Sequence, residues 1–411
     1  MSNAYELVRD AERSLQPRFS QIDSQVKTKL RCVLAAFQKN RVGEQHFAGV
    51  SGYGHDDLGR ETLDKVVADV FQAEAAIVRL QLVSGTHAIA CALYGVLRPG
   101  DELLSVVGAP YDTLEEVIGL RGHGQGSLAE WGISYRQVDL TPEGNPDWDA
   151  ISSAVRPETK LVTIQRSCGY SWRPSLSIAE IERLISLVKA QNPSTVCFVD
   201  NCYGEFVEAC EPTAVGADLM AGSLIKNPGG TIAPAGGYIA GRADVVEQAA
   251  CRLTAPGIGS SGGATFDLNR LLFQGLFLAP QMVGEAIKGT HLVATVFDRL
   301  GYEVKPLPEA DRRDVIQAIK LGSPKKLNAL CTAIQRYSPI GSYLDPVPGE
   351  MPGYESQLVM AGGTFIDGST SEFSADGPLR EPFVAFCQGG AHWTQVAIAL
   401  EAAVEAILAL G

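Results

Sequence analysis

The sequence predicts an α/β protein: a mostly parallel, doubly wound sheet with a smaller C-terminal α/β domain. Two observations carry this. Between about residues 76 and 250, short apolar runs alternate with helical stretches, the pattern of strands joined by crossover helices. Beyond about residue 300 the pattern becomes mixed, as a second, smaller unit would require. The 411 residues are enough for two or three domains and a large core.

Taken in order, residues 1–50 read as helical segments ending in a loop, with helical apolar spacing over Val26 to Phe37. Gly52-Tyr53-Gly54-His55 is too glycine-rich for a helix or strand and reads as a loop, and Leu58 to Phe71 returns to helix. Ala76–Leu80, Glu102–Val107, Lys160–Ile164 and Val196–Val199 read as buried strands. Ala88–Leu97, Leu114–Ile118 and Ile178–Lys189 read as the helices between them. Such a sheet offers its ligand loops at the carboxyl ends of the strands. Ala264–Val296 is largely helical despite Pro280. A helix is expected over Lys325–Gln335, then a turn-rich region through Pro346, Pro348 and Pro352. Strands are expected at Val359–Ile366 and Phe383–Cys387, and a closing helix at His392–Leu410. The division expected is residues 1–50 as an N-terminal helical segment, 51–295 as the large domain and 296–411 as the small one.

Composition excludes several classes. With 45% hydrophobic and 20% charged residues the chain reads as a soluble globular protein. A net charge of −13 argues against a nucleic-acid or anionic-membrane partner, which it would repel. The nine cysteines are scattered without a Cys-x-x-Cys pair, so neither a zinc ribbon nor a redox dithiol is expected, and a cytoplasmic location fits best. No apolar run is long enough to span a bilayer, and the first residues lack a signal-peptide core.

Three motifs carry chemistry. Ser84-Gly85-Thr86-His87 directly precedes an apolar helix, so its backbone N–H groups stand at the positive end of the helix dipole, where a phosphate fits. Val196-Cys197-Phe198-Val199-Asp200 is an apolar strand ending in a carboxylate, which when buried needs a cationic or hydrogen-bonding partner such as a protonated pyridine nitrogen. Ser223-Leu224-Ile225-Lys226 places a lysine between an apolar pair and an Asn-Pro-Gly-Gly turn. Desolvation and a nearby cation would lower its pKa, as imine formation requires. Taken singly, each has an ordinary structural reading: an N-cap serine, a capping aspartate, an exposed loop lysine. Their order is the stronger signal, with Lys226 26 residues after Asp200.

That order resembles the fold-type-I enzymes that use pyridoxal 5'-phosphate (PLP), and within them the cystathionine and methionine lyase, or gamma, branch. The resemblance is closer still to the bacterial methionine gamma-lyase and aluminium-resistance family. It rests on Gly52-Tyr53-Gly54-His55-Asp56-Asp57, Ser84 to Ala88, Pro110-Tyr111-Asp112-Thr113, Val199 to Glu205, Gly222 to Gly230 and Arg380-Glu381-Pro382. It implies a PLP-dependent carbon–sulfur lyase acting on a sulfur-containing amino acid. Ser84, Gly85 and Thr86 would bind the phosphate, helped by Ser223. Tyr111 would stack on the ring and assist proton transfer, and Asp200 would hold the ring nitrogen. Lys226 would carry the cofactor as a Schiff base and later act as general base. Arg380 would grip the substrate carboxylate. The gamma branch takes a Tyr-x-Arg pair from the neighbouring subunit. Here Tyr53 stands before Gly54-His55, and Arg60 is the nearest arginine. Gln165, at the end of a strand, is the candidate beside the cofactor's O3'. The resemblance also implies a homo-oligomer, a dimer of dimers with sites shared across the dimer interface.

The residues leave other readings open. A transaminase or aldol-type lyase would use the same residues and differ in the bond broken. A dinucleotide-dependent oxidoreductase would need a Gly-x-Gly-x-x-Gly opening a helix after the first strand, which is missing. A non-catalytic scaffold would have no use for Asp200 and Lys226 together.

Overall fold

In the computed structural model, which describes residues 3–122, 124–370 and 372–411, the chain opens with one helix, α1 (Asn3–Lys39), where several segments were expected. Its buried residues Ala4, Val8, Ala11, Leu15, Phe19 and Ile22 recur every three or four positions. That makes a single apolar stripe, and the helix continues through Pro17.

The large sheet follows in chain order. Helix α2 (Leu58–Val70) leads to β1 (Ala75–Arg79), α3 (Gly85–Val96), β2 (Glu102–Ser105) and α4 (Asp112–Ile118). Next come β3 (Ser134–Gln137), α5 (Trp148–Ala154), β4 (Thr159–Gln165), α6 (Ile178–Gln191) and β5 (Val196–Asp200). Strands β6 (Leu219–Ser223) and β7 (Gly237–Gly241) and helix α7 (Ala243–Leu253) close it. The order across the sheet is β1-β7-β6-β5-β4-β2-β3, with β7 antiparallel to both neighbours and the other pairs parallel. The middle of the sheet is solidly apolar on both faces, as parallel strands covered by helices must be. Three strands were not expected: the short β3, mostly outside that core, because Ser-Tyr-Arg-Gln has no apolar run, and β6 and β7, whose five-residue runs are interrupted by glycine.

Helix α8 (Asn269–Arg299) packs along α1 and starts five residues later than Ala264, because Phe266 and Asp267 have left-handed backbones that a helix cannot include. Beyond it, β8 (Glu303–Lys305), β9 (Ile316–Lys320), α9 (Pro324–Arg336), β10 (Leu358–Ala361), β11 (Ser374–Pro378), β12 (Val384–Gln388) and α10 (Trp393–Leu408) form a second unit. Its sheet is antiparallel, in the order β10-β11-β12-β9-β8. The strand expected over Val359–Ile366 stops at Ala361, where its pairing with Ala375 ends and Gly362-Gly363 follows. Asp376-Gly377-Pro378, whose residue types suit a turn, is the buried end of β11.

Candidate active site

Three adjacent parallel strands end at one edge of the large sheet. Gln165 at the end of β4 is paired with Asp200 at the end of β5, and Asp200 with Ala221 of β6. Ser223 closes β6, and three residues on, a short 3-10 turn (Asn227–Gly229) stops the chain behind Lys226. Helix α3 points its N-terminus at the same edge. Ser84 is its N-cap, accepting from the His87 N–H at 3.1 Å, so the ordinary capping reading of this serine holds. The N–H groups of Gly85 and Thr86, in the first turn, have no intrahelical partner. A Cβ on Gly85 would stand 3.1 Å from Cys202 Sγ and 3.3 Å from Ser223 Cβ, so only glycine lets the loop close up on β6 without pushing these neighbours.

These residues line one cavity of about 280 Å³: Ser84, Gly85, Thr86, Tyr111, Gln165, Asp200, Ser223 and Lys226 all face it. Lys226 donates to the hydroxyl of Tyr203, whose ring also lies beside the amine. Burial disfavours the lysine's charge, but Tyr203, Cys202 and Tyr354 outweigh it and hold the proton above the ordinary lysine range. The expected downward shift is therefore not present. Among the described residues that line the cavity there is no second cation, and hydroxyl and thiol groups surround the amine instead. Burial raises the Asp200 carboxyl, opposed by hydrogen bonds from Cys202 and by the charges of Lys226 and Arg173.

Tyr111 precedes α4, and its hydroxyl is 2.6 Å from that of Tyr354. Burial pushes its phenol well above the usual range, so it stays neutral. Its ring fits because residue 169 is glycine with φ +57°: a Cβ there would lie 2.8 Å from Tyr111 Cδ2. Gln165 donates to the Ser167 carbonyl at 3.0 Å, which leaves its Oε1 buried and unpartnered.

Two expected residues lie elsewhere. Tyr53 is 84% exposed and does not line this cavity. The Gly52–His55 loop is held from beneath by Arg60, which is 1% exposed and donates to the carbonyls of Gly54, Gly263 (2.9 Å) and Ser261 (3.1 Å). Arg60 is thus committed to backbone carbonyls and not to a phosphate. Arg380 is exposed in the turn after β11, also outside the cavity wall. Its charge pulls down an Asp112 carboxyl that burial raises, which puts the guanidinium near the start of α4.

Sequence reasoning missed Tyr170, Tyr203, Tyr354 and Asp376, all of which line the cavity. Tyr203 had a signal, since it lies within the Val199–Glu205 segment; its left-handed backbone, φ +70°, shows only in the structure. Tyr170, in the loop five residues after Gln165, and Tyr354 and Asp376, from the small domain, carry none.

The donor set suits PLP. A carboxylate sits at a strand end, a lysine lies in the same cavity, and the N–H groups at the start of α3 meet Ser223 because Gly85 lets the loop close up on β6. The chain also matches the methionine gamma-lyase family over residues 4–408. It belongs to that family. A Bacillus subtilis relative, the uncharacterized protein YnbB, is 50% identical over 377 residues, covering 92% of this chain and 90% of the relative. The crystal structure of a carbon-sulfur lyase involved in aluminum resistance from Clostridium novyi NT is 46% identical with a TM-score of 0.93, covering 98% of this chain and 95% of that one. L-methionine gamma-lyase of Pseudomonas putida is 26% identical over 208 residues, 49% of this chain and 44% of that enzyme. Membership of the methionine gamma-lyase family makes the chain a PLP-dependent lyase of fold type I.

Proposed function

We propose that the protein cleaves a carbon–sulfur bond of a sulfur-containing amino acid by β- or γ-elimination, with Lys226 as the cofactor-bearing residue and general base. The observation that carries this is the meeting of Lys226, Asp200, Ser223 and the α3 N-terminus in one cavity, in a chain of this family. PLP, when bound, supplies an electron sink for the charge left at the substrate Cα.

The residues divide the remaining work. The Gly85 and Thr86 N–H groups and the Ser223 hydroxyl would hold the phosphate, with Ser84 fixing the loop by capping α3. Asp200 would keep a proton on the pyridine nitrogen, and its buried carboxylate would gain a cationic partner beside the hydrogen bonds from Cys202. Tyr111 would stack on the ring while Tyr354 orients its hydroxyl. Gln165, at the end of β4, would stand beside O3', where its amide group would donate if turned from the Ser167 carbonyl. The Lys226 amine, once deprotonated, takes the Cα proton, and Tyr203 is placed to relay it. Arg380, on the turn near α4, would receive the substrate carboxylate. Tyr53, exposed on a pinned loop, would serve the phosphate of a neighbouring copy, so the working form would be a homo-oligomer built from such dimers. Nine unpaired cysteines agree with a reducing cytoplasm. Among the described residues no helix is long and apolar enough to cross a membrane.

The test is the absorbance of the purified holoenzyme before and after borohydride reduction, followed by peptide mapping. A yellow protein whose reduced pyridoxyl group sits on Lys226, absent in Lys226→Ala, is expected. A pyridoxyl adduct on another lysine defeats the proposal. Product analysis then separates the two reactions: β-elimination yields ammonia, thiol and a three-carbon 2-oxo acid, γ-elimination a four-carbon one.

A further inference from the structure

Lys226 is followed by a buried polar residue to which the chemistry above gives no task. Asn227 is 3% exposed and begins the 3-10 turn behind the lysine. Its Nδ2 donates to the carbonyls of Tyr203 and Glu205, each at 3.0 Å, and its Oδ1 accepts from the Thr370 hydroxyl at 3.4 Å. Two carbonyls can be met only by an NH2 group, so the amide has one orientation and both of its donors are used.

Both carbonyls belong to the loop after Asp200, which has left-handed backbones at Tyr203 (φ +70°) and Phe206 (φ +62°). Other buried groups hold the rest of this loop. Arg166 donates to Asn201 Oδ1 at 2.8 Å and to the Gly204 carbonyl at 2.9 Å. Glu211 accepts from the Asn201 side chain and the Phe206 N–H, and Lys29 donates to the Phe206 carbonyl. Asn227 takes the place where the loop meets the lysine. Lys226 donates to the Tyr203 hydroxyl, while Asn227, its neighbour in the chain, holds the Tyr203 carbonyl. Two consecutive residues thus fix Tyr203 at both ends. Without the amide, the left-handed peptide can relax toward an ordinary backbone and carry the ring away from the amine.

We infer that Asn227 is a positioning residue for proton transfer at Lys226, because it holds the Tyr203 hydroxyl against the lysine nitrogen. An amine that donates to a fixed oxygen has restricted rotation, so its lone pair keeps one direction. This rests on Lys226 as the cofactor-bearing base, but it concerns how that base is aimed and not which bond is cleaved. Other groups act on the same nitrogen: Cys202 and Asp200 from the end of β5, and Tyr354 and Asp376 from the small unit. Tyr111 and Tyr170 face the same cavity. Asn227 is bonded to Tyr203, Glu205 and Thr370 and to none of these, so its effect should run through Tyr203.

The experiment compares holoenzyme of the parent, Asn227→Ala, Tyr203→Phe and the double variant. The first readout is the pH midpoint of the cofactor's absorbance change, which follows the proton on the Lys226 nitrogen. That nitrogen donates to the phenol, so losing the phenol disfavours its protonated form and moves the midpoint down. A fall of ~1 pH unit is expected in Asn227→Ala and in Tyr203→Phe, the size of one hydrogen bond to a charged group. The second readout is exchange of the α proton of L-alanine, which has no leaving group, in deuterated water. It should slow ~10-fold or more in both variants, with the half-saturating alanine concentration within ~2-fold of the parent. The double variant should match Tyr203→Phe in both readouts. An unchanged midpoint in Tyr203→Phe overturns the inference, whether or not Asn227→Ala folds. So does an Asn227→Ala effect that keeps its full size on the Tyr203→Phe background. The expected pattern in a parent that releases no thiol from sulfur amino acids overturns the lyase reading and leaves the role of Asn227 standing.

Discussion

Lys226 donates to the hydroxyl of Tyr203, and Tyr203, Cys202 and Tyr354 together hold its proton against the effect of burial. Asp200 therefore matters twice, for the cofactor ring and for the charge balance around the lysine. Asp200→Asn keeps the shape and removes the charge; kcat/KM is expected to fall ~100-fold or more, with faster loss of PLP on dialysis. Glu205 lies under the same strands, fully buried, accepting from Tyr238 at 2.7 Å with its second oxygen unpartnered. Burial pushes its carboxyl from 4.5 up to about 8. The folded protein thus keeps a proton that the unfolded chain releases. The stability from that proton is whole below pH 4.5 and is lost as pH rises through about 8. Urea unfolding should show stability falling over this window by up to ~1.4 kcal/mol per pH unit. Glu205→Gln should flatten that slope; an unchanged slope would assign the effect to another group.

At the scale of elements, the site depends on where strands stop. Because β4, β5 and β6 are parallel and in register, Gln165, Asp200 and Ser223 arrive at one edge although 58 residues separate the first from the last. The glycine loop at 52–55 is an element of another kind, shaped by the buried Arg60 beneath it. Arg60→Met would leave three carbonyls without their donor. A loss of about 2–3 kcal/mol is expected, with hydrogen exchange rising at residues 52–55 and 261–264 while the central strands stay protected. Uniform loss of protection would mean that Arg60 supports the whole domain and not one loop.

At the scale of the whole molecule, each sheet supplies part of the site. The large sheet brings Lys226 and Asp200, and the small one brings Asp376 and Gln388. A third contribution would come from a second copy through Tyr53. If so, Lys226→Ala and Tyr53→Ala are each inactive but complement one another, since a mixed dimer has one site with both residues intact. Co-refolding equal amounts is expected to recover about a quarter of the parent activity. No recovery would confine the site to a single chain.

The sequence by itself determined the class of the sheet and four of its strands, β1, β2, β4 and β5, and it singled out Gly85, Asp200, Ser223 and Lys226, which the fold brings to one cavity. Strand burial, helix capping and strand-end position leave a local mark in residue order. Tertiary structure alone decided the rest. Tyr354 and Asp376 reach the cavity more than a hundred residues after Lys226, Tyr170 enters it from the loop after β4, and Asp-Gly-Pro reads as a turn unless β10 and β12 stand on either side of it. The proton affinity of Lys226 was beyond sequence for the same reason. It depends on which charges and hydroxyls surround the amine in space, and chain order does not record that.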